Sequence, residues 1–99
     1  MQVNIQTALS LVKARLNRTA ADTRLDQYFV QRIEAAEAEL ENTGISLADS
    51  ADDLMLVVDY TVWQYQNRDK PGSMPEWLRL RRRERWLQQH MQEAVSDDS

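Results

Sequence analysis

Few residues in this chain have types and spacing that could do chemistry. Its 99 residues include one histidine, His90, and no cysteine. A catalytic or structural zinc site needs three or four converging ligands, and a Ser-His-Asp arrangement needs a histidine oriented by a carboxylate. His90 falls on the polar side of its segment with only Glu93 at helical spacing, and it reads as a solvated surface residue. Asp49, Asp52 and Asp53 cluster, but they lack the glycine and closing glutamate of a calcium loop, and helix capping accounts for them. Asp59 interrupts the most apolar run. A buried unpaired carboxylate is costly, so an arginine partner is expected. There is no glycine-rich phosphate loop or nucleotide fingerprint. We therefore expect no catalytic residue, cofactor or metal ligand, and no enzyme.

The strongest local signal is Leu78–Trp86, LRLRRRERW. Arg79, Arg81, Arg82, Arg83 and Arg85 crowd about two helical turns, answered locally only by Glu76 and Glu84. Like charges at i,i+3 or i,i+4 each cost about 0.2–0.5 kcal/mol. The cluster therefore calls for anions from elsewhere: an acidic segment of this chain or another copy, an acidic partner, or phosphate. Trp86 beside the arginines is typical of an interface anchor. The net charge of -4 argues against general nucleic-acid binding, although base stacking on Trp86 remains an alternative. Charge is segregated along the chain. Residues 1–33 carry five Lys/Arg and two Asp, net +3, whereas residues 34–59 carry four Glu and four Asp without Lys or Arg, net -8.

These residues must be positioned by helices. With 42% hydrophobic residues, 28% charged residues, 2 Gly and 2 Pro, the composition predicts one all-α domain over residues 1–99. The spacing predicts four helices, over about residues 5–17, 23–43, 51–67 and 75–94. Asn4, Asp22 and Ser50 are the N-cap candidates, Gly44 ends the second helix, and Pro71-Gly72 marks the break before the fourth. Residues 96–99 are expected to fray. Leu54–Tyr65 is the organising stretch, since as a helix it has apolar residues on both sides. Leu54, Val58, Thr61, Val62 and Tyr65 share one face, and Leu56, Tyr60 and Trp63 lie roughly opposite. A small chain covers two faces with difficulty, so another copy or a partner is expected to complete the burial. In the fourth helix Trp77, Leu80, Leu87, Met91 and Ala94 read as the inner face, with Leu78 and Trp86 pointing elsewhere. No run reaches 18 apolar residues, so no membrane span is expected. The N-terminal residues do not resemble a secretory signal.

The order of several features resembles the small head–tail connector (adaptor) proteins of tailed phages. These are Val12-Lys13 with Leu16; Arg32-Ile33-Glu34-Ala35-Ala36; Asp59-Tyr60 with Trp63 and Tyr65-Gln66-Asn67-Arg68; and Met74-Pro75 with Trp77-Leu78 before the arginine-rich helix. The resemblance spans about residues 5–90, and the arginine density of the fourth helix departs from it. It implies an all-helical subunit of a ring in the virion. Such a ring sits between the portal and a tail-side protein and extends the DNA channel, without sequence-specific DNA binding. It implies no cofactor. A ring needs two different patches that meet head to tail. The expected contact joins the fourth helix (Leu78, Arg79, Arg82, Arg85, Trp86) to a neighbour's second- and third-helix side (Glu34, Glu37, Glu41, Leu56, Trp63). The competing readings are a small helical DNA-binding regulator and a generic helical interaction domain.

Overall fold

Asn4 starts the first helix, its Oδ1 accepting the Thr7 amide proton at 3.0 Å. The computed structural model describes residues 4–70 and 72–97, with side chains as far as Met91. It contains four helices: α1 (Ile5–Arg15), α2 (Asp26–Asn42), α3 (Ala51–Gln66) and α4 (Glu76–Asp97). No strand occurs among the described residues. The all-α, four-helix expectation therefore holds, with shifts at the ends.

Helix α1 stops two residues early, because Asn17 turns into the left-handed region at φ 60, which asparagine tolerates. Helix α2 starts three residues late, and Asp22 is not its cap. The Asp22 carboxylate instead accepts the Arg24 amide at 3.3 Å and the Arg24 side chain at 3.1 Å. Those hydrogen bonds hold its pKa down to about 2. Such local side-chain bonding competes with the first helical turn. Helix α4 runs three residues past its expected end, so Ser96 and Asp97 are helical. Pro71, Asp98 and Ser99 lie outside the described residues, as does the side chain of Ala94.

Helix α3 is the centre of the molecule. Every residue from Leu56 to Val62 is buried. α1 and α2 pack on each other and on α3, and α4 packs on α3. Ala8 and Val12 of α1, and Phe29, Ile33, Ala36 and Leu40 of α2, form the core with Val57 and Val58. Ile45 and Leu47 of the α2–α3 link tuck into it. Leu78 of α4 joins from the other side at 0% exposure. On the second face of α3 the chain itself buries Leu56 and Tyr60 and leaves Trp63 half-buried.

The inner face of α4 is also corrected. Trp77, Leu80, Leu87 and Met91 face solvent, and Leu78 with Arg81 and Arg85 faces α3. α4 runs antiparallel to α3, with Arg81 bonded to Asp59 and Arg85 to Asp53. Since α3 begins at Ala51, the end of α4 extends past it. The long axis reaches 51 Å. The radius of gyration is 14.6 Å, against about 13 Å for a compact chain of this length.

Gly44 ends α2 at φ +103, and a Cβ there would lie 3.0 Å from Trp86 Nε1 and 3.4 Å from His90 Nε2. Gly44→Ala should lower unfolding free energy in urea by about 1–2 kcal/mol, through strain and displacement of α4. Gly72→Ala, whose Cβ meets nothing within 4 Å, should stay within about 0.5 kcal/mol of wild type. Equal stability of the two variants would refute the close approach of Trp86 to the link.

Candidate protein-interaction site

Two carboxylates on α3 decide how α4 is turned. The Asp59 side chain retains 7% exposure and accepts from Arg15 Nη1 at 2.5 Å and from Arg81 Nη1. It joins α1 and α4 through α3. The Asp53 side chain is 2% exposed and accepts from Arg85 Nε at 2.7 Å and Nη2 at 3.1 Å. Its Oδ2 also accepts the Ala48 amide at 2.7 Å. Ser50 Oγ accepts the Asp53 amide, so the N-cap is present, but the Asp53 carboxylate turns to Ala48 and Arg85. The hydrogen bond to Asp53 raises the pKa of the Arg85 guanidinium, which stays charged.

Polar contacts continue along α4. Arg85 donates to the Ser46 carbonyl at 2.7 Å. Gln89 accepts the Ser46 amide at 2.6 Å and donates to the Gly44 carbonyl at 2.8 Å, replacing the backbone partners this irregular link lacks. Arg82 lies beside the Tyr60 hydroxyl. Tyr60 donates to Glu39 at 2.7 Å, as does Gln64 at 3.0 Å. Glu39 is thereby bound to α3.

The outward side of α4 carries apolar groups. Trp77 is 50% exposed, Leu80 45%, Leu87 38% and Met91 65%. They recur at alternating three- and four-residue steps, with Glu84 in the same line, so they form one stripe. Next to it lies an open groove of about 350 Å³, lined by Leu80, Trp86, Arg79, Arg82, Arg83 and Thr43. An apolar surface rimmed by charge is the ordinary form of a protein contact.

The expected site residues divide sharply. Leu56 and Leu78, at 2% and 0% exposure, belong to the core and present no surface. Arg85 is engaged by Asp53, and Arg82 is half-buried. Trp63 is half-buried, with its ring 5.9 Å from that of Tyr60. Trp86 remains 37% exposed and stacks on His90, with centroids 4.0 Å apart. His90 is accordingly half-buried, not the solvated residue expected. Arg79 is exposed, with a 3.7 Å pair to Glu76. Glu34 and Glu41 are exposed and Glu37 is half-buried. Sequence reasoning misplaced the stripe of Trp77, Leu80, Leu87 and Met91, and it missed Gln89. The demand of Asp53 and Asp59 for cations could have revealed the true rotation. Among the described residues no three His, Cys or carboxylate groups gather as a metal site, and no helix is long and apolar enough to cross a membrane.

Comparison with known proteins finds no matching family model, no matching curated protein and no matching solved structure.

Asp59→Asn leaves two guanidinium groups facing a neutral amide. Losing a partner of a fully buried pair costs about 3–5 kcal/mol. Arg15 and Arg81 keep 41% and 39% exposure, so about 2 kcal/mol is expected in urea unfolding. A second measurement concerns Tyr60, whose pKa is pushed up to about 12 by burial and then by its bond to Glu39. The unfolded phenol ionises near its usual value of about 10. Stability from this group is therefore complete below that pH and declines as pH rises toward about 12. Tyr60→Phe should flatten that part of the pH–stability curve, and an unchanged slope would refute the assignment.

Proposed function

We propose that the chain is a structural head–tail connector (adaptor) subunit of a tailed phage or prophage. It has no catalytic role in this reading. Copies form a ring in the virion between the portal and a tail-side protein, and DNA passes through the channel without base-specific contacts. Assembly takes place in the bacterial host.

The outward apolar stripe of α4 is the single observation that carries this reading. Trp77, Leu80, Leu87 and Met91 lie on a helix that extends past the core it packs on. Folding leaves them in water, and contact with another surface would remove them from it. The connector assignment itself draws on the resemblance of Asp59–Leu87 and the segments before it. The DNA-binding alternative loses support from the ion pairs. Arg81 and Arg85, two of the five arginines between residues 79 and 85, are held by Asp59 and Asp53 and so are not open to phosphate.

Electron microscopy of the protein alone and mixed with a portal tests the proposal, with rings or portal-bound rings expected. Leu80→Glu with Leu87→Glu should abolish them. Both side chains are exposed, so the double variant should keep its helical circular dichroism and its stability to within about 1 kcal/mol. A folded variant that assembles like wild type would remove the stripe from the mechanism. A wild-type protein that assembles under neither condition would defeat the connector reading.

A further inference from the structure

We infer that the groove beside Arg79 and Arg83 receives the acidic outer edge of α2 from a second copy of the chain. The inference rests on the assembly reading and names its contact.

α2 has one line of exposed residues at helical spacing: Gln27, Gln31, Glu34, Ala38 and Glu41. Its C-terminal half is acidic, and its last turn contains no basic residue. Carboxylates near a helix C-terminus oppose the helix dipole, so that end is improved by an external cation. Among the described residues, Glu34 and Glu41 take part in no ion pair of their own chain. Arg81, Arg85 and Arg79 of α4 pair with Asp59, Asp53 and Glu76. Arg83 has no ion pair among the described residues, and the Arg79 pair is exposed. Exposed Glu34 and Glu41 of α2 and exposed Arg83 of α4 therefore stand without an ion pair among the described residues.

The apolar parts correspond as well. The groove is lined by Leu80 and Trp86 together with Arg79, Arg82, Arg83 and Thr43. The α2 edge has the small Ala38 between Glu34 and Glu41. A small residue lets a helix backbone approach an apolar surface closely, at the lower end of the usual 8–10 Å axis separation. The flanking carboxylates then fall beside the arginines. Exposed ion pairs add little affinity singly, so Leu80 and Trp86 provide the attraction and the charges fix register and partner. Because the donor and acceptor patches differ, the contact can repeat from copy to copy, as a ring requires.

Sedimentation velocity, in whichever condition wild type assembles (alone or with a portal), tests this with two charge-reversed proteins. One carries Arg79→Glu and Arg83→Glu, the other Glu34→Arg and Glu41→Arg. All four side chains are exposed, and circular dichroism confirms that each variant is folded. Each alone should need at least about tenfold more protein to assemble. Mixed in equal amounts they should co-assemble, because each groove then meets an edge of opposite charge. The fourfold variant should assemble by itself. If the two variants assemble as readily as wild type, or if mixing restores nothing, the α2–groove contact is wrong and the connector reading survives. If wild type assembles in neither condition, the connector reading fails and this contact fails with it.

Discussion

Two carboxylates buried on the most apolar helix are the constraint on which the rest of this structure depends. Asp53 and Asp59 lie on α3 at 2% and 6% exposure. Leaving a buried charge without its partner costs about 3–5 kcal/mol. Four half-exposed apolar side chains forfeit about 1–1.5 kcal/mol each, taking half of the usual burial value. Turning α4 so that Trp77, Leu80, Leu87 and Met91 faced inward would gain the second quantity, but it would strip Arg85 from Asp53, leave Asp59 to Arg15 alone and bring the fully buried Leu78 to the surface. The ion pairs win, and the apolar stripe faces water. The exposed surface of α4 thus follows from the charge requirement of α3.

This explains what could be read from the sequence. The four helices and the Asn4 cap follow from local rules, as does the left-handed Gly44, because caps and periodicity act within a few residues. Phe29, Ile33, Ala36 and Leu40 of α2 recur at helical spacing, and all are buried. The pairing of Asp59 with arginine followed from the cost of burying a charge. The rotation of α4 did not emerge, because periodicity reports an apolar stripe without saying whether it faces inward. On the second face of α3, Leu56 and Tyr60 are buried, with Leu78 of α4 fully buried and Arg82 beside the Tyr60 hydroxyl, while Trp63 is half-buried. Hence Leu56 and Leu78 belong to the core, not to the candidate site.

The attachment of α4 grades along its length. Near its start Leu78 is fully buried and Arg81 meets Asp59. In its middle Arg85 holds Asp53 by an ion pair and Gln89 holds Ser46 and Gly44 by hydrogen bonds, with Trp86 lying over the link. Beyond these contacts the backbone continues as helix to Asp97. Local stability in proteins follows buried apolar contact. The firm end of α4 is therefore the one seated on α3, and the docking groove lies on its seated half, between Arg79 and Trp86. A contact surface held on a seated element loses less entropy on binding than one on a free arm.

The arginine cluster, read as a single charge patch in the sequence, separates into two pairs in space. Arg81 and Arg85 are four residues apart, as are Arg79 and Arg83, and at 100° per residue the two pairs point roughly 160° apart. The first pair is directed at α3 and meets buried carboxylates. The second faces solvent beside Leu80 and Trp86. Each pair suffers the same i,i+4 repulsion, but only the inner one meets buried carboxylates, the outer one having a single exposed contact from Arg79 to Glu76. The outer pair and the exposed apolar stripe share one helix because the inner pair fixes how that helix is turned. Folding and the capacity for assembly are therefore coupled through α4, so a change at Asp53 or Asp59 acts on the outer surface without touching it.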